Sequence, residues 1–312
     1  MSETLYDVLI IGGGPAGLTA GLYTSRAKLK TLLVERMILG GQVMTTTKVE
    51  NYPGFPGGID GPELMMRFQE HCQEFGLETI TGEVTGLVDN GKEKLVTIDQ
   101  SEVRTRSVII TTGAEPSKLG VPGEVELTGR GVSYCATCDG AFFRDVPVAI
   151  VGGGDTAAEE ALFLSRFASK VYLVHRRDQL RATKVLQDRI FANDKIEPVW
   201  NCVVEEAVGD NSGVTSLVLR NRRDDSRQSL EVAGMFVAIG VTPKAHFLAE
   251  ILELDQEGYI LTDSDCQTSI PGVFAAGDVR KKILKQIATA VGDGAIAAIV
   301  AEKYLDDLEH SG

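Results

Sequence analysis

Residues Val8-Leu9-Ile10-Ile11-Gly12-Gly13-Gly14-Pro15-Ala16-Gly17 decide the fold, because they return 140 positions later as Val148-Ala149-Ile150-Val151-Gly152-Gly153-Gly154-Asp155-Thr156-Ala157. Ser25-Arg26 likewise returns as Ser165-Arg166, and Leu33-Val34 as Leu173-Val174. Each copy reads as an apolar strand, a glycine turn, a helical stretch and a second strand, which is a β-α-β unit. Repeats this far apart predict two similar domains rather than a solenoid.

The glycines have separate tasks. Gly12 and Gly14 permit a tight turn and close approach of backbone to a pyrophosphate, and Gly17 lets the helix pack on the strand. Gly152, Gly154 and Ala157 take those places in the second copy. Phosphates would then sit at helix N-termini, where free N–H groups and the helix dipole favour negative charge. The residue closing the second strand separates the copies. Glu35 can accept hydrogen bonds from ribose hydroxyls, as suits an adenosine without a 2′-phosphate. His175 replaces the acid in the second copy and leads into Arg176, Arg177 and, four residues on, Arg181. This cationic run suits a 2′-phosphate, hence NADPH, although such runs are elsewhere often solvated surface.

The chain has 312 residues, 43% hydrophobic and 24% charged, which fits two globular domains without disorder. A net charge of −13 and a pI near 4.9 argue against nucleic acid or anionic membrane as partners. No run of 18 apolar residues predicts a membrane span. The N-terminus has no signal-peptide pattern, so a cytoplasmic location is expected.

The first fold is unfinished when the second begins. Strand Ser107–Ile110 ends at Gly113, and Val237–Gly240 repeats that ending in the second fold. Gly272–Asp278 and the helical stretch Ile287–Leu305 cannot form a domain alone. Residues 1–114 and 246–312 are therefore expected to form one domain, with 115–245 inserted, joined by crossovers near 114–117 and 243–247. The expected architecture is α/β, two Rossmann-like folds of the three-layer ββα type.

Cys135-Ala136-Thr137-Cys138-Asp139 stands just before the second glycine turn. Such a pair at a helix start can close a small disulfide ring, and the helix N-terminus would lower a thiol pKa. Asp139 could act as a general acid or base beside it. The same spacing also serves zinc. A structural zinc site needs four ligands, however, and Cys72, Cys202 and Cys266 are isolated among only four histidines. No metal is expected, and those three cysteines read as buried small side chains.

With Gly12 to Gly17, Gly40-Gly41-Gln42, Val49 to Gly54, Cys135 to Gly140, Gly152 to Glu160, His175-Arg176-Arg177 with Arg181, and Gly277-Asp278 in place, the chain resembles the low-molecular-weight thioredoxin reductases along essentially its whole length. The resemblance implies FAD held by Gly12, Gly14, Pro15, Ala16, Gly17, Glu35, Gly40, Gly41, Gln42, Asn51, Val84, Gly113, Gly277, Asp278, Gln286 and Ile287. It implies NADPH held by Gly152, Gly154, Asp155, Thr156, His175, Arg176, Arg177, Arg181 and Gly240. It further implies a homodimer, domain rotation about the crossovers, and hydride transfer to the flavin. Electrons would then pass to Cys135–Cys138, with Cys138 nearer the flavin and Asp139 as acid, and on to thioredoxin. Arg130, Phe142 and Phe143 become candidates for docking that partner.

Two positions depart from the family pattern. Lys285 stands where arginine is common before Gln286, and Asp155 where Asn or Ser is also common, placing a negative charge near the expected pyrophosphate. Four other readings share parts of the pattern. Ferredoxin–NADP reductases lack the cysteine pair, and peroxiredoxin-reducing flavoenzymes carry an extra N-terminal region. A flavin-binding redox sensor, or a reductase of a different small redox protein, would share the motifs.

Overall fold

The computed structural model describes residues 4–46 and 48–310. It comprises two compact units, one of residues 1–115 with 242–312 and one of residues 116–241.

Strand β1 (Leu5–Ile11), helix α1 (Pro15–Arg26) and strand β2 (Thr31–Glu35) open the first unit. Helix α2 (Gly61–Glu74) and strands β3 (Glu78–Thr81), β4 (Val84–Asp89), β5 (Lys94–Ile98) and β6 (Ser101–Ile110) follow. A short strand β7 (Ala114–Pro116) leads out of the unit. The second unit holds β8 (Val132–Ser133), α3 (Ala136–Asp139), β9 (Pro147–Gly152), α4 (Asp155–Leu164), β10 (Lys170–His175) and α5 (Lys184–Phe191). It continues through β11 (Ile196–Trp200), β12 (Cys202–Asp210), β13 (Gly213–Asn221), β14 (Arg227–Glu231) and β15 (Gly234–Ala238). Strand β16 (Val241–Pro243) leads back, and β17 (Val273–Ala275) and α6 (Ile287–His310) complete the first unit.

In the first unit the strand order is β3-β2-β1-β6-β5-β4, with β17 also on β6. The segments β1, β2, β3, β17 and the end of β6 run parallel, and β4-β5-β6 form an antiparallel extension. Alternation along β1 divides two cores. Val8 and Ile10 face α1 and α6 with Leu33 and Ile109, whereas Leu9 and Ile11 face the opposite side with Leu32, Val34, Val108 and Ile110. Burial on both faces is why the strands read as unbroken apolar runs. The second unit repeats the scheme with a parallel sheet ordered β11-β10-β9-β15-β8. A separate antiparallel sheet, β12-β13-β14, covers one side of it. In both units the glycine turn follows the strand where the order reverses, the position at which such sheets bind ligands.

Helix α6 lies so close to α1 that a Cβ on Gly294 would come within 2.3 Å of the Ala16 carbonyl oxygen. Gly292, on the same helix, has nothing within 4 Å of that position. Gly294→Ala is accordingly expected to destabilise the fold by about 1–3 kcal/mol in urea. Gly292→Ala should stabilise it by up to about 1 kcal/mol, since alanine loses less backbone entropy on folding. Equal effects of the two substitutions would contradict this packing.

Candidate active site

The first glycine turn is built by near-contact. A Cβ on Gly17 would lie 1.9 Å from the Gly12 carbonyl oxygen, so only glycine lets α1 start directly on the end of β1. Gly12 has φ +104°, and a Cβ there would strike the Thr111 carbonyl at 2.6 Å. Space is open over Gly14 and Gly113. Pro15 and Ala16 form the first helical positions, where proline's missing N–H costs nothing.

Glu35 ends β2 and its two oxygens accept backbone N–H groups, from Gly13 at 2.7 Å and from Met37 at 3.0 Å. It therefore shapes the turn, and its remaining lone pairs are what a ribose could use. The Gly40 N–H donates to the Gly13 carbonyl at 2.7 Å, which brings Gly40 and Gly41 beside the same turn. The Gln42 amide donates to the Ala114 carbonyl. Asn51 Nδ2 donates to Gln286 Oε1 at 2.8 Å, joining two residues far apart in the chain at the start of α6, whose first residue is Ile287. Val84 begins β4 beside an irregularity in its pairing with β5 and makes no polar contact through its side chain.

The Gly277–Asp278 corner is held from α6. Asp293 Oδ2 accepts from the Gly277 N–H at 3.0 Å and from Lys282 Nζ at 3.0 Å, while Arg280 Nη1 reaches Oδ1 at 3.1 Å. Burial raises the Asp278 carboxyl above its usual range, and Lys282, whose Nζ lies 3.6 Å from Oδ1, opposes that rise. A half-buried acid with no short hydrogen bond to Oδ1, next to a glycine turn with open space, fits a flavin dinucleotide that would supply a closer donor.

In the second unit the Gly152 position is closed by the Ala238 carbonyl at 2.4 Å and the Ala157 methyl at 2.6 Å, while Gly154 is open. Asp155 is exposed at the first position of α4. Oδ1 accepts the Thr183 N–H at 2.6 Å, fastening the start of α5. The Arg181 N–H donates to the Gly153 carbonyl at 2.7 Å. Thr156, Arg176, Arg177 and Arg181 are exposed, and Gly240 turns with φ +133° at the end of β15. An open, glycine-lined helix start beside three exposed guanidinium groups fits a dinucleotide bearing an extra phosphate.

His175 differs from the cationic role read for it. Its ring is buried beneath the glycine turn, 2.2 Å from where a Gly153 Cβ would be, and edge-on to Trp200. Burial, with Arg181 and Arg177 nearby, lowers its pKa, so it is neutral at pH 7 and forms the floor of the turn. The strand's alternation turns it inward; the arginines after it point out.

Cys135 and Cys138 form a disulfide with Cα atoms 5.3 Å apart. Helix α3 is a single turn, and Cys135 is its N-cap, its Sγ 3.2 Å from the Cys138 N–H. Ser133 closes β8 and is buried, held by pairing with Phe236 of β15. Its Oγ accepts the Cys135 N–H at 3.1 Å and donates to Asp139 Oδ2 at 2.6 Å. Burial raises the Asp139 carboxyl, and the Ser133 hydrogen bond opposes that rise.

Behind the dithiol, Glu124 is fully buried. Its carboxylate accepts from the Leu119 and Gly120 N–H groups and from Tyr134 Oη, whose own pKa is pushed up to about 12 by burial and this acid. Neither Ser133 nor Glu124 stands out in the sequence, because both find their partners only once the loop has closed. Glu160 on α4 reaches the Ala136 backbone, and burial pushes it up to about 7.

Phe142 and Arg130 are exposed, whereas Phe143 is half-buried. Its ring packs under Gly234 and edge-on to Phe236 at 5.2 Å, filling the core beneath β15. Cys72, Cys202 and Cys266 are buried and unpaired with one another.

The raised Glu160 carboxyl has a consequence for stability. In the unfolded chain it ionises near 4.5, while the fold keeps it protonated to about 7. The folded state therefore binds more protons between those values, and stability falls as pH rises across them. Glu160→Gln should be more stable than the parent at pH 8 by about 1–3 kcal/mol and show little gain at pH 4.5. A pH-independent difference would contradict the assignment.

Residues 6–294 match the family described as pyridine nucleotide-disulphide oxidoreductase. A thioredoxin reductase of Listeria innocua is 49% identical over 309 residues, covering 99% of this chain and 97% of that one. One from Bacillus subtilis is 48% identical, covering 99% and 98%. The crystal structure of a thioredoxin reductase from Streptococcus pyogenes superposes with a TM-score of 0.95 at 48% identity, covering 98% of this chain and 100% of that one. The chain belongs to the pyridine nucleotide-disulphide oxidoreductase family and, within it, to the low-molecular-weight thioredoxin reductases.

Proposed function

We propose that this protein carries electrons from NADPH, through FAD, to the Cys135–Cys138 disulfide and from the resulting dithiol to the disulfide of a thioredoxin. The observation that carries the reading is the disulfide itself, set on a one-turn helix that ends in the half-buried Asp139. FAD, when bound, supplies the two-electron relay between nicotinamide and dithiol. The rest is the work of this chain's residues.

The first unit's glycine turn, with Glu35, Asn51, Asp278 and the start of α6, binds and orients FAD. In the second unit Gly152 and Gly154 seat the NADPH pyrophosphate, and Arg176, Arg177 and Arg181 take its 2′-phosphate. The Asp155–Thr183 hydrogen bond supports that assignment, because it holds the arginine segment against the glycine turn. Asp139 delivers a proton to the thiolate formed when the disulfide opens. Cys138 takes electrons from the flavin side, and the dithiol then exchanges with the partner, the direction being set by relative reduction potentials. Arg130 and Phe142 provide exposed contacts for the partner.

Residues 1–114 with 246–312 act as the FAD domain and 115–245 as the NADPH and dithiol domain. The two crossovers serve as hinges for rotation between them. The protein works as a cytoplasmic homodimer. Three buried, unpaired thiols suit a reducing compartment, and no helix of the described residues is long and apolar enough to cross a membrane. Exposed Ile296 and Ile299 on α6 provide an apolar strip for a second copy.

Two substitutions test the route. In Cys138→Ser, NADPH should still reduce the flavin, while NADPH oxidation coupled to thioredoxin should fall to background; retained turnover sinks the proposal. Arg176→Ala combined with Arg177→Ala should raise the KM for NADPH at least roughly tenfold and leave that for NADH unchanged, since charge-assisted hydrogen bonds to the 2′-phosphate are lost. An unaltered preference would remove the phosphate assignment.

A further inference from the structure

The hydroxyl of Ser133 touches both ends of the dithiol loop. It accepts the Cys135 N–H at 3.1 Å, donates to Asp139 Oδ2 at 2.6 Å, and lies 3.4 Å from the Cys135 carbonyl oxygen. Its position is rigid, since Ser133 is buried and its strand is paired in the sheet. A serine oxygen has one proton and two acceptor sites. With the Cys135 N–H occupying one acceptor site, the proton is free to donate to an ionised Asp139. When Asp139 is protonated, its own O–H can donate to the second acceptor site, and the serine proton can turn to the Cys135 carbonyl. One side chain thus has a hydrogen bond to offer Asp139 in either protonation state, as a carboxyl that cycles its proton requires.

We propose that Ser133 is a positioning residue for the reaction, holding Asp139 beside the dithiol and setting the pH at which it gives up its proton. The inference rests on Asp139 being the acid in the reading above. Reducing the disulfide takes two electrons and two protons, of which the NADPH hydride, through FAD, would supply both electrons and one proton. The S–S bond opens to a thiol and a thiolate, Asp139 protonates the thiolate, and its carboxylate recovers a proton from water.

The charged groups on neighbouring elements are engaged elsewhere. Glu160 of α4 is directed to the Ala136 backbone, and Glu159 is exposed beside it. Tyr134 donates to Glu124, and Arg144 lies over the ring of Phe167. Among the described residues, Ser133 is the one side chain hydrogen-bonded to Asp139.

The bond from Ser133 is charge-assisted and stronger when Asp139 is ionised, so it lowers the acid's pKa and its removal raises it. In FAD-loaded Ser133→Ala, the pH limb of thioredoxin turnover that belongs to Asp139 should move upward by about one unit, tenfold in its protonation equilibrium. Flavin reduction by NADPH should be unchanged, and Ser133→Thr should restore the limb. Asp139→Asn identifies the limb by removing it, and Glu160→Gln should keep it. A limb that stays put in folded Ser133→Ala overturns the proposal, as does its loss in Glu160→Gln, which would assign it to Glu160. A limb that survives Asp139→Asn instead brings down the acid assignment on which the proposal rests. Should Ser133→Ala not fold, the infrared carboxyl stretch of Asp139, taken as the difference between the wild type and Asp139→Asn, reads the bond directly. A frequency lowered by hydrogen bonding is expected, and that of a free carboxyl overturns the proposal.

Discussion

The backbone of Gly12 presses against Gly17 so closely that no side chain could stand between them, and the rest of the first unit follows from this approach. It lets a helix begin on the end of a central parallel strand, with unpaired N–H groups facing open space. Gly152 and Ala157 reproduce the approach in the second unit with one methyl group admitted. A chain that builds this corner twice has two places for a dinucleotide pyrophosphate. What differs between the corners is the residue on the floor or rim of each. Glu35 binds the turn through its carboxylate, whereas neutral His175 supports it by packing.

That difference shows where sequence reading succeeds and where it stops. The repeated turns were legible because glycine spacing and unbroken apolar strands are local consequences of a parallel sheet buried on both faces. The replacement of an acid by a basic run was legible too. The direction in which His175 points was not, since a strand's last side chain faces inward or outward according to the register of the sheet beneath it. Phe142 and Phe143 make the same point. Two adjacent aromatic residues in a turn look equivalent in sequence, yet the cavity under Gly234 takes only the second.

The polar interior around the dithiol was the least legible part. Glu124 is an acid in a loop rich in Gly and Pro, and its sequence neighbours suggest a solvated side chain. Three donors gathered by the closed loop permit its complete burial. Ser133 and Asp139 are six residues apart, and only the turn through Cys135 brings their oxygens within 2.6 Å. The Cys-Ala-Thr-Cys-Asp run therefore identified the chemistry, while the groups that hold Asp139 emerged from tertiary packing. Asp155 follows the same rule, since the hydrogen bond by which it fastens the arginine segment joins residues 28 positions apart.

The central claim is that the dithiol is the outlet for electrons entering as NADPH. Stopped-flow absorbance of the flavin band on the intact, FAD-loaded protein addresses it directly. NADPH should bleach the band rapidly, and subsequent mixing with oxidised thioredoxin should restore it while the NADPH is consumed. A band that bleaches with NADPH but does not return with any disulfide partner would contradict the account and leave a flavin-binding sensor in its place.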